Sequence, residues 1–386
     1  MLLRPGNDYG MLRQRDVRPL WRRYLWWWLL PLLAFDLWLI HRLWPRRAAE
    51  PPPPPPVEEA PALLDARSGT PAARWKLTFP TPQIRLLDAP DATIFMPTAS
   101  GLLESALYGS TRTGGQGGGL PSFHEGVDIA PTQRDRKGRP TDTVFAVGDG
   151  RVAYLNRHAG NSNYGIYVVL LHDDPIGEIY TLYAHLASIV TDLRAGQAVA
   201  AGAPIGVMGN TPASIIPLSR AHLHFEIGLV QNRRFAQWYR AQQKTPDHGN
   251  LHGANLFGVN PLAAFAARDA DGTFSMAELL AVLPTAFELT LRAPRLPDYF
   301  TRYPGLWRGD PFAGAPITLG VSDGGVVLYG RTATAEESDR LGAAAWRVAF
   351  VDPDVLGRNG RRLVIPRQSE WTLGAHGREW LDILLF

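Results

Sequence analysis

The stretch AHLHFEI at residues 221–227 constrains the fold of this chain most strongly. Its apolar and polar residues alternate, and this period of two indicates a β-strand with two different faces. The residues at 223, 225 and 227 form an apolar core face, so His222 and His224 share the opposite face, about 6–7 Å apart. At this spacing one histidine can bind a metal ion while the other reaches whatever the ion holds. A structural histidine pair is the alternative interpretation.

A second segment, HEGVD at residues 124–128, carries two further side chains that can bind a metal. If the segment is extended, His124 and Asp128 return to one face, with Val127 and Ile129 on the opposite side. Together with one histidine of the first strand they make three protein ligands. That is the number in a catalytic zinc site, which keeps its fourth position open for water. The alternative is a surface histidine and aspartate beside a glycine turn.

A third segment, YTLYAHL at residues 180–186, also alternates. The period predicts that His185 shares a polar face with Thr181 and Tyr183. The opposite, core face is predicted to hold four residues: Tyr180, Leu182, Ala184 and Leu186. Three histidine-bearing segments that all read as strands favour one shared site over three separate coincidences.

These segments resemble the lysostaphin/LytM-type zinc endopeptidases of bacterial cell walls. The resemblance covers roughly residues 95–230, where the family's motifs follow in the family's order. Besides the three segments above, four further motifs match. They are an opening segment with Pro97, Gly101, Ser105, Tyr108-Gly109 and Arg112; VFAVGDGRV at 144–152; Asn163-Tyr164-Gly165; and GAPIGVMG at 202–209. In this combination the motifs are highly specific.

The resemblance implies one zinc ion held by His124, Asp128 and His224, with His185 and His222 as non-ligating catalytic histidines. Zinc held by two neutral imidazoles and one carboxylate lowers the pKa of a bound water molecule towards 7 and polarises a peptide carbonyl. His222 is then placed to act as the general base. His185 either donates a hydrogen bond to the developing oxyanion or holds the attacking water with His222. The sequence leaves open which histidine takes which role.

Four more residues are candidates for supporting the ligands or contacting substrate: Tyr183, Glu226, Arg112 and Asn163. Glu226 shares the histidine face, where it either orients a ligand imidazole or forms a surface salt bridge. The other histidines belong to no motif and are predicted to be exposed: His158, His172, His248, His252 and His376. The segment TPASIIPLSRA at 211–221 is bulkier than the family's short Gly/Ser-rich segment before the last strand. This difference bears on the rim of the cleft and the substrate preference, but not on zinc binding.

The first 50 residues differ in composition from the rest of the chain. Residues 24–40 form a 17-residue, largely apolar run with tryptophans near both ends, close to the lower limit for a membrane span. Six arginines precede this run and three follow it, a bias that predicts a cytoplasmic N-terminus with the bulk of the chain outside. A cleaved signal peptide is the alternative. The small-residue motif Ala60-Pro61-Ala62, however, lies about twenty residues past the run, too far for the usual cleavage geometry.

Charge and cysteine content exclude some classes of function. Nine arginines and four acidic residues give residues 1–50 a formal charge of +5; because the whole chain carries +3, the remainder carries −2. The exported part therefore lacks the basic footprint that nucleic-acid binding requires. The chain has no cysteine, so any metal site must use histidine, aspartate or glutamate.

Short apolar runs between turn residues predict a mainly β fold with five parts. These are a cytoplasmic tail (1–23), a transmembrane anchor (24–44), a proline-rich linker (45–74), an antiparallel β-sheet or sandwich zinc peptidase domain (75–265) and a second, small β-rich domain (266–386). Helices are predicted over 233–243, from Asn260 to Ala267 and over Met276–Leu283, and the last predicted strand is Trp380–Phe386. The segment from Asp269 to Glu278 resembles the last ten positions of an EF-hand calcium loop. The first ligand position of such a loop would be Ala267, which has no side-chain oxygen. A turn that caps the following helix is therefore predicted instead.

These features predict a zinc endopeptidase that hydrolyses the peptide cross-links of peptidoglycan. The protein would be anchored in the bacterial inner membrane through residues 24–44, with its catalytic domain in the periplasm. Its partners would be peptidoglycan stem peptides and a membrane or division protein. One alternative is a catalytically silent relative that binds cell wall or activates an amidase. Another is a zinc peptidase for an exported protein.

Overall fold

The computed structural model describes residues 74–112, 122–357 and 359–386. The predicted cytoplasmic tail and membrane anchor, and nearly all of the linker, lie outside these ranges. Within the described ranges, no helix combines the length and the apolar character that crossing a membrane requires.

The half of the chain that carries the motifs folds into short strands, because β-branched and aromatic residues alternate there between turns. The strands are β1 (Trp75–Lys76), β2 (Thr111–Arg112), β3 (Ser122–Phe123), β4 (Val127–Ile129), β5 (Thr143–Phe145), β6 (Gly150–Asn156), β7 (Ile166–Asp174), β8 (Gly177–Ile189), β9 (Ala198–Val199), β10 (Pro204–Met208), β11 (Leu223–Val230) and β12 (Leu256–Val259). Within the described residues, β4 to β12 form one antiparallel sheet. Its main order is β12-β11-β8-β7-β6-β9, with β4 beside β11, and β10 pairing with both β8 and β5. The predicted mainly β, antiparallel architecture is confirmed.

Strand β11 positions the site because it has neighbours on both edges. His224 pairs with Asp128 of β4 on one edge and with Ala184 of β8 on the other. Side chains of directly paired residues lie on the same face of a sheet. The register alone therefore brings a histidine and an aspartate together from positions about a hundred residues apart in the sequence.

The predicted faces of β8 need correction, because the alternation is interrupted at His185. This residue has a left-handed backbone, with φ 63°, which is uncommon for a residue other than glycine. Tyr183 pairs with Phe225 and points into the main apolar core, where its hydroxyl accepts a hydrogen bond from the Val147 amide at 3.0 Å. The prediction that Tyr183 shares a face with His185 is wrong. Three of the four residues predicted for the core face lie instead on the side of the sheet that carries the site: Tyr180, Leu182 and Ala184.

His172 is buried, contrary to the prediction. Only 1% of the residue is exposed, and its ring stacks on the indole of Trp75 with centroids 4.9 Å apart. His172 Nδ1 donates to the carbonyl of Asp149 at 2.8 Å, and Nε2 accepts from the hydroxyl of Thr181 at 2.7 Å. These contacts suit a neutral ring, and burial lowers the pKa of His172 to about 4.

Acid is expected to destabilise the folded chain through His172. Because the folded-state pKa of about 4 lies below the ordinary value of 6.5, the unfolded chain takes up this proton first. The stabilisation is complete above pH 6.5 and is lost as the pH falls towards 4, by roughly 3 kcal/mol in total. His172→Gln should flatten this part of the pH dependence of the free energy of unfolding, measured by urea titration from about pH 7.5 to about pH 4.5. The exposed His158→Gln should leave it unchanged, and equal slopes in wild type and His172→Gln would contradict the assignment.

The remainder of the chain combines a second sheet with short helices. Its strands are β13 (Thr273–Phe274), β14 (Phe287–Leu291), β15 (Trp307–Arg308), β16 (Ile317–Val321), β17 (Val327–Thr332), β18 (Trp346–Val351), β19 (Val364–Arg367) and β20 (Glu370–Leu373). The helices are α1 (Phe235–Ala241), α2 (Pro261–Ala266), α3 (Met276–Val282), α4 (Asp298–Arg302), α5 (Ala335–Leu341), α6 (Pro353–Leu356) and α7 (Ala375–Leu385). Five strands form a sheet in the order β15-β17-β16-β14-β18. In this sheet β15 runs parallel to β17 and the other pairs are antiparallel.

The three predicted helices are confirmed, as α1, α2 and α3. The side chain of Asn260 accepts a hydrogen bond from the Leu262 amide and caps α2, and Ser275 caps α3. The predicted strand at Trp380–Phe386 is wrong, because these residues lie within and directly after helix α7. Four of the five buried residues of α7 recur every three to four positions, at Gly377, Trp380, Leu381 and Leu384, and Ile383 is the fifth. This is a helical period, which a seven-residue apolar run does not reveal on its own.

Within the described residues, the two sheets lie in one compact unit. The main cluster of buried apolar side chains extends from Val127 on β4 to Trp380 on α7. Arg302 on α4 donates to the carbonyls of Val230 at 2.9 Å and Gln231 at 2.8 Å, at the end of β11. The motif-bearing part and the C-terminal part therefore pack directly against each other. The boundary between residues 265 and 266 stays a prediction.

Candidate metal centre

Three donor atoms from β11, β4 and the turn before β4 converge on one point. Asp128 Oδ1 lies 3.1 Å from His124 Nε2 and 2.9 Å from His224 Nδ1, and the two histidine nitrogens are 3.0 Å apart. All three residues are buried. The structure thus brings together the zinc ligands that the sequence motifs predicted.

The other polar atom of each side chain has its own partner. His124 Nδ1 donates to the carbonyl of Leu107 at 2.9 Å, and His224 Nε2 donates to Glu226 Oε1 at 2.8 Å. Asp128 Oδ2 accepts a hydrogen bond from the guanidinium of Arg112. Because these outer bonds fix the orientation of each side chain, the three inner atoms face one shared point.

Glu226 is fully buried, so the alternative of a surface salt bridge is wrong. Its Oε1 also accepts from the hydroxyl of Tyr164 at 2.7 Å, and Oε2 accepts from Tyr180 at 2.9 Å. Burial alone would raise the pKa of Glu226, but the hydrogen bonds from His224 and the two tyrosines lower it. The ionised carboxylate therefore orients the His224 ring.

The charges around the donor atoms favour a cation. Burial alone would lower the pKa of His224, but its hydrogen bonds to Asp128 and Glu226 raise it to about 9. Burial alone would raise the pKa of Asp128, but attraction to His124, His222 and Arg112 holds it well below its usual range. Two imidazole nitrogens and one carboxylate oxygen fit zinc chemically. Tetrahedral bonds of about 2.0–2.1 Å imply ligand separations of roughly 3.3 Å, close to those observed.

His185 and His222 lie beside the donor atoms, with ring centroids 4.8 Å apart. His185 Nδ1 donates to the carbonyl of Thr211 at 2.8 Å, and His222 Nδ1 donates to that of Arg220 at 2.7 Å. Because a carbonyl can only accept, each neutral ring carries its proton on Nδ1 and has an unprotonated Nε2. His222 Nε2 lies 3.5 Å from Asp128 Oδ1 and is buried without a hydrogen-bond partner.

Both rings are kept neutral by their surroundings. Burial lowers the pKa of His222. Burial, reinforced by the neighbouring His222 and His224, holds the pKa of His185 well below its usual value. The left-handed backbone at His185 turns its ring to this site, and strained backbone of this kind is concentrated at functional sites.

The segment that leads to His222 is held by Arg134, which the sequence analysis did not identify. The Arg134 guanidinium donates to the carbonyls of Leu218 at 3.0 Å and Ser219 at 3.2 Å. These carbonyls directly precede that of Arg220, the acceptor of the His222 proton. No sequence signal could have revealed Arg134, because its partners are backbone atoms in a segment that departs from the family pattern.

A cavity of about 550 Å³, here called the near cavity, adjoins the donor atoms. Asn163 is exposed and lies on its wall, as do Tyr164 and the ligands His124 and His224. Tyr183 is not among its lining residues, in keeping with its place in the core. Residues 239–253 supply further wall residues that the sequence analysis did not connect with the site: Tyr239, Thr245, Asp247, His248, His252 and Gly253.

The prediction that five histidines are exposed holds for His158 but is wrong for the others. His248 is buried like His172, and its Nδ1 lies 2.9 Å from the hydroxyl of Tyr154. His252 is half-buried and stacks on Phe235 with centroids 5.3 Å apart. His376 is half-buried too. An isolated histidine outside any motif carries no local signal of its burial.

Together, His124, Asp128 and His224 form a group of donor atoms that could hold a metal ion. Residues 122–236 match the family model of peptidase family M23, and the solved structures that resemble the chain include lysostaphin/LytM-type M23 peptidases. Family M23 peptidases are zinc metallopeptidases that generally act on peptidoglycan.

Solved structures that resemble the chain cover only part of it. A zinc-containing peptidase from Vibrio cholerae is 25% identical over 40% of this chain and 37% of its own, with a TM-score of 0.27. The catalytic domain of lysostaphin from Staphylococcus simulans is 25% identical over 32% of this chain and 76% of its own, with a TM-score of 0.24. The catalytic domain of the M23 protein EnpA from Enterococcus faecalis is 20% identical over 35% of this chain and 86% of its own, with a TM-score of 0.21. The chain thus spans well under two thirds of the length of the Vibrio peptidase. No curated protein matches the chain.

Proposed function

We propose that this chain is a membrane-anchored zinc endopeptidase that hydrolyses the peptide cross-links of peptidoglycan. The observation that carries the proposal is a buried, unpartnered His222 Nε2 placed 3.5 Å from Asp128 Oδ1. A metal centre that served structure alone would have no need of an unprotonated nitrogen beside its ligands. The same feature favours an enzyme over a silent relative that only binds wall or activates an amidase.

The ligands proposed for a single zinc ion are His124, Asp128 and His224. Bound there, zinc would supply Lewis acidity that polarises a peptide carbonyl and acidifies a water molecule. His222 Nε2 would take the proton of the attacking water and return it to the leaving amine. His185 Nε2 also lacks a proton, so a neutral His185 would accept a hydrogen bond from that water. The tautomers therefore favour this role over donation to an oxyanion.

The proposal includes the cellular location predicted from the N-terminal sequence. Residues 24–44 would span the bacterial inner membrane, with residues 1–23 in the cytoplasm and the catalytic part in the periplasm. The six consecutive prolines at residues 51–56 would hold the catalytic part away from the bilayer. A membrane or division protein is the proposed protein partner.

Metal removal tests the proposed function. The full-length chain, incubated with purified peptidoglycan, is expected to release soluble peptide fragments that mass spectrometry identifies as cut at cross-links. A chelator should stop the release and added zinc should restore it, because the proposed polarisation of the carbonyl depends on the bound ion. Binding to peptidoglycan without release in the presence of zinc would favour the silent regulator. Cleavage of an unfolded exported protein but not of peptidoglycan would favour the other alternative.

A further inference from the structure

One segment of the chain, residues 211–220, holds both histidines that lie beside the donor atoms. At its start the carbonyl of Thr211 accepts from His185 Nδ1 at 2.8 Å, and at its end the carbonyl of Arg220 accepts from His222 Nδ1 at 2.7 Å. This segment belongs to the part of the sequence that departs from the family pattern. The direction in which each unprotonated Nε2 points therefore depends on how the two ends of the segment are fixed.

The start of the segment is fixed by the side chain of Thr211. Its hydroxyl donates to the carbonyl of Leu186 at 2.8 Å and accepts from the amide of Ile166 at 2.9 Å. Because Leu186 directly follows His185 in β8, Thr211 binds two consecutive residues, one through its side chain and one through its carbonyl. The backbone packs closely here, since a Cβ atom at Gly165 would lie 2.3 Å from the Thr211 carbonyl oxygen. These contacts fix the acceptor of the His185 ring.

The end of the segment is fixed by Arg134, which lies more than 80 residues earlier in the sequence. Its guanidinium donates to the carbonyls of Leu218 at 3.0 Å, Ser219 at 3.2 Å and Ala221 at 3.4 Å. These residues flank Arg220 on both sides, so they fix the carbonyl that accepts the second histidine. A planar guanidinium binds several carbonyls at once in a fixed geometry, which the single ammonium of lysine does not reproduce.

The loop that carries Arg134 is anchored independently of this segment. The buried carboxylate of Asp142 accepts from the amides of Thr132 at 2.8 Å and Gln133 at 3.1 Å, directly before Arg134. The Arg134 guanidinium also donates to the carbonyl of Gly138 at 2.8 Å. Because its own loop is held in this way, Arg134 can fix the segment rather than follow its movement.

We propose that Thr211 and Arg134 are positioning residues for hydrolysis: Thr211 positions His185, and Arg134 positions His222, each through a backbone carbonyl. This inference rests on the proposed function and assigns two further residues to it. Neither residue belongs to the group of donor atoms, so both act on the histidine rings and not on metal binding. Their effect on the rate is large for such remote groups, because a displacement of about 1 Å can cost about 100-fold.

Nuclear magnetic resonance of the imidazole nitrogens tests the inference without substrate. The full-length chain is labelled with ¹⁵N at histidine and kept in detergent, and its signals are assigned with His185→Gln and His222→Gln. Thr211→Val removes the hydroxyl at nearly constant size and should shift the ring nitrogens of His185 but not those of His222. Arg134→Met should shift those of His222 but not those of His185. A general loosening of the fold would not separate the two rings in this way.

Hydrolysis of a soluble cross-linked peptide provides the second measurement. Arg134→Met is expected to lower kcat about tenfold and to leave KM within about twofold, because it misplaces the base and removes no substrate contact. Arg134→Lys should restore little of the loss, whereas Thr211→Ser, which keeps the hydroxyl, should resemble wild type. The matched controls are Arg139→Met, an exposed arginine paired with Asp135 in the same loop, and the exposed Thr191→Val; neither should change kcat or the ring signals.

Two results would overturn the inference. One is a wild-type spectrum for both histidines in the folded Arg134→Met and Thr211→Val variants, and the other is an equal shift of both rings in each variant. Arg134 is exposed, so its replacement leaves the core intact and keeps the test readable if Thr211→Val does not fold. A wild-type chain that hydrolyses nothing would remove the proposed function, and the spectra would still show whether each residue holds its histidine.

Discussion

His222→Ala is expected to retain a bound metal ion and to lose hydrolysis of peptidoglycan by about 10²–10⁴-fold. His222 contributes no donor atom to the group formed by His124, Asp128 and His224, so its removal leaves the ligand set complete. Its unprotonated Nε2 is the proposed base, and general base catalysis typically contributes this factor to the rate. The measurement is the rate of fragment release together with the metal content of the purified protein.

Two matched variants separate the base from the ligands. His224→Ala removes a donor atom and should lose both the metal and the activity, whereas His158→Ala changes an exposed histidine and should alter neither. If His222→Ala lost its metal as readily as His224→Ala, His222 would be a ligand and the proposed role would fail. Activity close to that of wild type in His222→Ala would exclude it as the base.

Arg361→Met is expected to lower the free energy of unfolding by roughly 3 kcal/mol. Arg361 and Glu125 form a pair whose side chains are only 15% and 16% exposed, and the Arg361 guanidinium lies 4.6 Å from the ring centre of Phe257. Burial raises the pKa of Glu125, and the charge of Arg361 opposes that rise. Without Arg361 the Glu125 carboxyl can take up a proton. Because protonation removes the unpaired charge, the loss in free energy of unfolding should lie near the lower end of the range of about 3–5 kcal/mol for breaking a buried pair.

Urea titration of three variants tests this assignment. Glu125→Gln/Arg361→Met removes both charges and should recover part of the loss, because no unpaired carboxylate is then buried. Arg367→Met changes an exposed arginine of the same segment and should stay within about 0.5 kcal/mol of wild type. An unchanged unfolding midpoint for Arg361→Met would show that the pair contributes little. The outcome also bears on the C-terminal part, which supplies Arg361 to the residue beside ligand His124.

Most of the metal centre could be predicted from the sequence because its residues lie in short, recognisable local patterns. The alternation at residues 221–227 places His222 and His224 on one face, and HEGVD at 124–128 supplies the other two donors. The motifs also predicted the supporting role of Arg112, which contacts Asp128. The alternation of β8 did not predict its faces correctly, because His185 has a left-handed backbone that interrupts the alternation. As a result His185 points to the site, whereas Tyr183 points into the core.

The sequence by itself predicted the β-strands from their period, because period and residue type are properties of neighbouring positions. Which three residues supply the donor atoms was predicted from the resemblance to the family's motifs. Only the tertiary structure decided which ring nitrogens are free. The Nδ1–H groups of three histidines donate to backbone carbonyls: His124 to Leu107, His185 to Thr211 and His222 to Arg220. Because every residue has a backbone carbonyl, the sequence does not indicate which one accepts. Burial of Glu226 and the pairing of Glu125 with Arg361 were decided in the same way, because both depend on distant parts of the chain meeting across the fold.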